Sequence, residues 1–200
     1  QPHTQTDRSN VLLNAGESGD NSKCEDIKFS HDGLRMLLSS SGGFVRSFEL
    51  TEPFSLKHIN YASETKSPSA IGGNFDINDD GTKLFTMPIT FGSAAKNLKE
   101  YSLSVPYDVS TATEIQSTNL GSTLVIDESY SDDLNKDAPQ SLEFSKDGSM
   151  LFILVLNNSD EANLGNGFVS DEIFQFKLAK PFDTSTMSLV GSSNVTSGYP

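Results

Sequence analysis

The hexad Asp76-Ile-Asn78-Asp-Asp80-Gly81 sets oxygen-bearing side chains at alternate positions ahead of a glycine bend, as the first half of an EF-hand loop does when it wraps Ca²⁺. The second half is missing. Its twelfth position, which should supply a bidentate carboxylate, is Met87. The same turn recurs with Lys28, Ser30, Asp32 and with Glu143, Ser145, Asp147, so a purely structural turn is the competing reading. The sequence establishes no cofactor, and Ca²⁺ on Asp76, Asn78 and Asp80 is the candidate.

The other reactive residue types are sparse. Three histidines, His3, His31 and His58, form no helical pair and no HExxH, which leaves a catalytic zinc site without ligands. There is no G-x-S-x-G elbow for a nucleophilic serine and no glycine-rich loop to cradle phosphate. His31 falls at a turn position taken by Asp79 and Lys146 in the other copies and is expected to be an exposed turn residue. The single cysteine, Cys24, excludes an intrachain disulfide and any multi-cysteine metal site, and is expected to be inert or half-buried. These residues point away from an enzyme.

Acidic side chains are the exception to this sparseness. The formal charge of −13 opposes binding to a phosphate backbone or an anionic bilayer, so neither nucleic acid nor membrane is an expected partner. No stretch nears the roughly 18 apolar residues of a membrane span, and the start Gln1-Pro-His3 lacks the basic and apolar regions of a signal peptide. Two acidic groups stand out: Asp127, Glu128, Asp132, Asp133 and Asp137 in one long connection, and Asp160, Glu161 and Asp171 in another.

What must position these residues is a repeat. Asp26-Ile-Lys-Phe-Ser-His-Asp-Gly33, Asn74-Phe-Asp-Ile-Asn-Asp-Asp-Gly81 and Ser141-Leu-Glu-Phe-Ser-Lys-Asp-Gly148 are each a short alternating strand closing in Asp-Gly. Apolar pairs follow each glycine, at Met36-Leu37, Leu84-Phe85 and Leu151-Phe152, and mark a second strand. A block of aromatic, x, Leu, x, x, Pro, aromatic then recurs at Phe48–Phe54, Tyr101–Tyr107 and Phe176–Phe182 as the third strand and its exit turn. Fourth strands are expected near Leu56–Tyr61, Ala112–Ser117 and Met187–Val190. Asp-Gly supplies the positive φ of a tight hairpin, and proline ends ladder pairing where the chain turns. First strands are expected near Glu25–Ser30, Gly72–Ile77 and Gln140–Ser145, with little helix and with Phe48, Tyr101 and Phe176 as equivalent core residues. A small closed sandwich is the alternative arrangement of these strands.

The run Phe-Ser-x-Asp-Gly, Leu-Phe, Tyr-x-Leu-Ser-x-Pro-Tyr-Asp-Val-Ser-Thr resembles the degenerate β-propeller repeats of secreted bacterial and bacteriophage proteins, and its first element is similar to TolB-type and lactonase-type propellers. The resemblance spans about residues 25 to 191 and departs from WD repeats, since neither Gly-His nor Trp-Asp occurs. It implies an all-β propeller of about three four-stranded antiparallel blades whose ring is incomplete within this chain. Residues 1–24 are then an N-terminal segment with the outer strand of a preceding blade, Val11-Leu-Leu13; 25–71 are blade 1, 72–139 blade 2 with a long connection, and 140–200 blade 3 with the start of the next connection. The chain is expected to be an excerpt of a longer propeller or one of several copies joined head to tail.

In an up-and-down blade the first and third turns share one end, and the second loop and the blade connections share the other. The length variation falls on the second end, as the separation widens from Gly33–Phe48 through Gly81–Tyr101 to Gly148–Phe176. Both acidic groups lie in these loops. The functional expectation is a non-enzymatic binding or structural module of an extracellular, envelope or virion-surface protein, engaging a protein, a glycan or copies of itself through this long-loop face. A lactonase-type hydrolase and an architectural fibre or capsid-decoration subunit are the alternatives.

Overall fold

The computed structural model describes residues 24–40, 43–71, 73–87, 96–124, 137–157 and 171–195. Twelve strands make three four-stranded antiparallel sheets, each in simple sequence order. Blade 1 is β1 (Cys24–Phe29), β2 (Arg35–Ser40), β3 (Val45–Leu50) and β4 (Ile59–Lys66). Blade 2 is β5 (Asn74–Ile77), β6 (Lys83–Met87), β7 (Asn97–Leu103) and β8 (Ala112–Asn119). Blade 3 is β9 (Asp137–Phe144), β10 (Met150–Asn157), β11 (Asp171–Leu178) and β12 (Met187–Val195). Among the described residues helix is confined to short 3₁₀ turns, and no helix is long and apolar enough to cross a membrane.

The Asp-Gly element folds the same way three times. Gly33, Gly81 and Gly148 take φ near +70° and donate their N–H to the carbonyls of Ser30, Asn78 and Ser145. The turn aspartate accepts a backbone N–H two residues on, from Leu34, Thr82 and Ser149 respectively. The Pro-aromatic element is the second half of the same device. Pro53, Pro106 and Pro181 precede Phe54, Tyr107 and Phe182, which take φ of 55, 62 and 54°. Hydrogen bonds Ser55 N–Glu52 O, Asp108 N–Val105 O and Asp183 N–Lys180 O close these as type II turns, where proline at the second position and positive φ at the third are the ordinary requirement.

Each left-handed aromatic donates its N–H to the carbonyl of its blade's glycine and lays its ring where a glycine Cβ would stand. This contact offsets the strain of positive φ at a bulky residue. It also makes glycine necessary twice over, for conformation and for space.

Three expectations shift at strand ends. In blade 1 the fourth strand starts at Ile59, because Leu56–His58 form a 3₁₀ turn after the type II turn. In blade 2 the first strand starts at Asn74, since Gly73 at φ 136° lies outside extended backbone. In blade 3 it starts earlier, at Asp137, and runs beside β10 to its end.

The three third-strand aromatics are buried, Phe48 to 1 %, Tyr101 to 4 % and Phe176 to 2 %. Sheet faces pack on each other: Leu37 and Val45 of blade 1 meet Phe75 and Val109 of blade 2, while Phe85 and Leu98 of blade 2 meet Leu142 and Phe144 of blade 3. First strands converge on an axis. Phe75 N donates to Asp26, Phe144 N donates to Asp76, and Lys28 of blade 1 reaches Glu143 of blade 3. The three sheets make part of a ring and do not close one.

Candidate functional site

Lys28, Asp76 and Glu143 hold the same place in the three copies of the first strand, two residues beyond Asp26, Asn74 and Ser141. Because first strands line the axis, these three side chains meet in a cleft of about 260 Å³ that also has Asn78, Phe144 and Phe182 on its wall. Lys28 Nζ donates to the Glu143 carboxylate and stands 3.9 Å from Asp76 Oδ1. Asp76 Oδ2 accepts Phe144 N–H at 2.7 Å, and its Oδ1 accepts Ile77 N–H at 2.9 Å.

Burial dominates the electrostatics of Asp76. Desolvation pushes its carboxyl up to about 6, against the opposing pull of Lys28 and the Phe144 N–H. For Lys28 burial works toward the neutral amine, but Asp76, then Glu143 and Asp26, outweigh it and hold the ammonium above its ordinary value. The cluster is therefore a cation between two carboxylates, one of which takes a proton in mildly acidic solution.

The Asp76 pKa is a statement about stability. Its folded value of about 6 lies above the ordinary 3.8, so the carboxyl contributes most below pH 3.8, and that contribution is lost as pH rises through 6. Asp76→Asn, which keeps an oxygen for Phe144 N–H and loses the charge, is expected to gain about 2–3 kcal/mol over the parent at pH 7.5. The gain should fade toward pH 4. Urea unfolding of both proteins across this range checks it, and a difference independent of pH would show that Asp76 does not titrate there.

The calcium candidates part company in the structure. Asp76 faces the axis, whereas Asn78 Oδ1 accepts Lys83 N–H at 2.8 Å and Asp80 Oδ1 accepts from Thr82 N and Thr82 Oγ1 at 2.9 and 2.5 Å. Those Thr82 bonds hold the Asp80 carboxyl below its usual range. Ser30 and Ser145 accept the matching N–H groups of Arg35 and Met150, so Asn78 does a turn residue's work. Among the described residues no three His, Cys, Asp or Glu side chains gather as a metal-holding group.

Of the acidic loop residues, Asp127, Glu128, Asp132, Asp133, Asp160 and Glu161 lie outside the described residues. Asp137 begins β9 opposite Asn157, and Asp171 begins β11, so both stand at the end of blade 3 that carries the stretch 158–170. The blade connections leave from that end too: Ser67 N donates to Val45 O and Leu120 N to Lys96 O, each at the start of a third strand. His31 is exposed in its turn, as expected. Cys24 is an exposed residue rather than a half-buried one, with its thiol pushed up by desolvation, then by Asp26 and Glu25, toward the unreactive form. Lys28 and Glu143 enter the sequence reading only as counterparts of Asp76 in a turn. Their signal was available there, since a charged residue at one repeat position of an innermost strand must meet its equivalents at the axis.

No protein-family model matches the chain, and no curated relative is found. Among solved structures it is similar to a periplasmic gluconolactonase of Pseudomonas aeruginosa, with 10% identity and a TM-score of 0.52 over 87% of this chain and 41% of that one. A β-propeller domain from Myceliophteria thermophila aligns with 12% identity and a TM-score of 0.47 over 87% of this chain and 44% of that one. The chain thus spans less than half the length of these structures. At such identity the likeness speaks to fold and not to chemistry. With three sequential four-stranded sheets turning about a common axis, the chain is a run of β-propeller blades with the ring left open.

Proposed function

We propose that this chain is a non-enzymatic binding module of an extracellular, envelope or virion-surface protein, and that it holds a protein or glycan partner on the face formed by its second loops and blade connections. One observation carries the reading. At the opposite end every repeated turn residue is already engaged: the aspartates cap their own turns, and the left-handed aromatics cover the glycines. Such a face is repeated and internally satisfied, whereas the stretches 41–44, 88–96 and 158–170 lengthen from blade to blade on the other. Variable loops on a repeated scaffold are where recognition is ordinarily placed.

The acidic residues of this face suit a basic protein patch or a glycan bridged by Ca²⁺. The test replaces Asp132, Asp133 and Asp160 by Asn and Glu161 by Gln together. On a glycan array with and without Ca²⁺, and against a cationic peptide library, the variant is expected to bind at least tenfold more weakly than the parent with an unchanged circular dichroism spectrum. Equal binding, together with equal melting temperatures with and without Ca²⁺, would reduce the acidic loops to a solubilising surface.

A hydrolase of the lactonase type is the second reading, favoured by the axial cleft in which Asp76, Glu143 and Lys28 converge. Lactone hydrolysis by the parent that disappears in Asp76→Asn and Glu143→Gln would select it over the binding module.

A further inference from the structure

Four buried hydroxyls, Ser39 Oγ, Ser47 Oγ, Thr65 Oγ1 and Thr86 Oγ1, have no hydrogen-bond partner among the described residues. Ser39, Ser47 and Thr86 are at most 2 % exposed, and Thr65 is half-buried with its hydroxyl closed off. A hydroxyl enclosed without a partner forfeits the bonds it makes to water in the unfolded chain, which is why such groups are few in folded proteins.

All four fall on one contact. Ser47 pairs with Leu37 on one side and Thr65 on the other, and Ser39 pairs with Val45, so the register puts the three side chains on the face that sends Leu37 and Val45 against blade 2. Thr86 approaches from the other sheet. It pairs with Phe75 and stands two residues from Leu84, and both of these pack in the same contact from the blade 2 side.

The contact between blades 2 and 3 shows what these repeat positions hold when the space is filled. Met87, Glu100 and Gln116 stand where blade 1 has Ser39, Ser47 and Thr65, and Ile153 stands where blade 2 has Thr86. Met87 and Ile153 share one apolar cluster, while Glu100 accepts from Lys83 and Thr184. Between blades 1 and 2 each of the four residues is smaller than its counterpart, and each carries a hydroxyl. Room and polarity therefore come together, and a buried water needs both; room lined by apolar groups alone stays dry.

The seam also reaches the surface. Thr86 stands beside the Tyr101 hydroxyl, which donates to Glu114 Oε2 at 3.4 Å, and Lys99 Nζ donates to the same oxygen at 2.9 Å. The Lys99 and Glu114 side chains are 34 and 42 % exposed, so their ion pair stands at the rim. In blade 3 the position of Lys99 is taken by buried Phe174.

We infer that the contact between blades 1 and 2 encloses a binding site for ordered water, held by the hydroxyls of Ser39, Ser47, Thr65 and Thr86 and entered past the Lys99–Glu114 pair. The site lies between two sheets that face each other directly, and it is independent of what the loop face or the axial cleft binds.

Oxygen-17 relaxation dispersion, which detects long-lived water without interference from hydroxyl exchange, tests it together with urea unfolding. The parent is expected to show long-lived water that disappears from Ser39→Met with Thr86→Ile, the pair that copies the filled contact between blades 2 and 3. Circular dichroism checks that this variant folds. Thr86→Val, which keeps the shape and removes only the hydroxyl, holds the test open if it does not. When water bridges the hydroxyls, Thr86→Val and Ser47→Ala should each lower the folding equilibrium constant about three- to tenfold, and the double variant should cost less than the sum. A dry seam gives the opposite sign, since removing an unpartnered hydroxyl stabilises. Long-lived water unchanged in a folded Ser39→Met, Thr86→Ile protein overturns the inference, and so does a Thr86→Val protein as stable as the parent or more so.

Discussion

Replacing Phe176 by alanine is expected to cost about 3–5 kcal/mol of folding stability, the range for emptying a fully enclosed aromatic site. Phe176 is 2 % exposed in the middle of β11, opposite Leu151 on β10 and Leu189 on β12. It belongs to the core that joins blade 3 to blade 2, so the lost volume loosens an interface as well as a sheet. Phe48 and Tyr101 are its counterparts, and alanine there should act in the same direction. Urea unfolding at fixed pH reads the difference, and a cost below about 1 kcal/mol for Phe176→Ala would remove it from the core.

That these three aromatics are equivalent was legible in the sequence, because the interval from third-strand aromatic to proline to exit aromatic is the same in all three copies. So were the sheet order and the Asp-Gly hairpins. What the exit aromatic does was not legible. A bulky residue after proline at the end of a strand gives no sign that it will adopt positive φ and cover a glycine 21 to 34 residues earlier in the chain, since that contact exists only once the second and third strands of the blade are paired. Strand limits moved for a related reason: Leu56 is apolar and looked like the start of β4, but the type II turn ahead of it carries the chain into a 3₁₀ turn first.

The site was legible in part. Asp76 drew notice for its spacing with Asn78 and Asp80, which suits a calcium loop, yet in a strand that leads into a turn Asp76 faces the axis while Asn78 and Asp80 close on Thr82. Alternation on a strand sends positions two apart to one face only while the strand lasts, and β5 ends at Ile77. The partners Asp76 does have come from other blades. No local pattern shows Lys28 and Glu143 as its neighbours; the repeat does, when equivalent positions are read across blades instead of along the chain.

Glu100→Ala is expected to cost a similar 3–5 kcal/mol, for an electrostatic reason. Glu100 is 2 % exposed on β7, with Oε1 2.5 Å from Lys83 Nζ and Oε2 accepting from Thr184 N and Thr184 Oγ1, both at 3.0 Å. Lys83 Nζ also donates to Phe182 O at 2.6 Å, so one ion pair of blade 2 holds the type II turn and the following 3₁₀ turn of blade 3. Removing the carboxylate leaves the buried Thr184 N–H without its acceptor and an ammonium with only a carbonyl. Glu100→Gln keeps an acceptor and should lose less. Thr184→Val removes the hydroxyl but not the N–H, and in a double-mutant cycle it should cost less in the Glu100→Ala background than in the parent, since the hydroxyl's partner is already gone. Additive costs would mean that the two residues do not act together across the contact between blades 2 and 3.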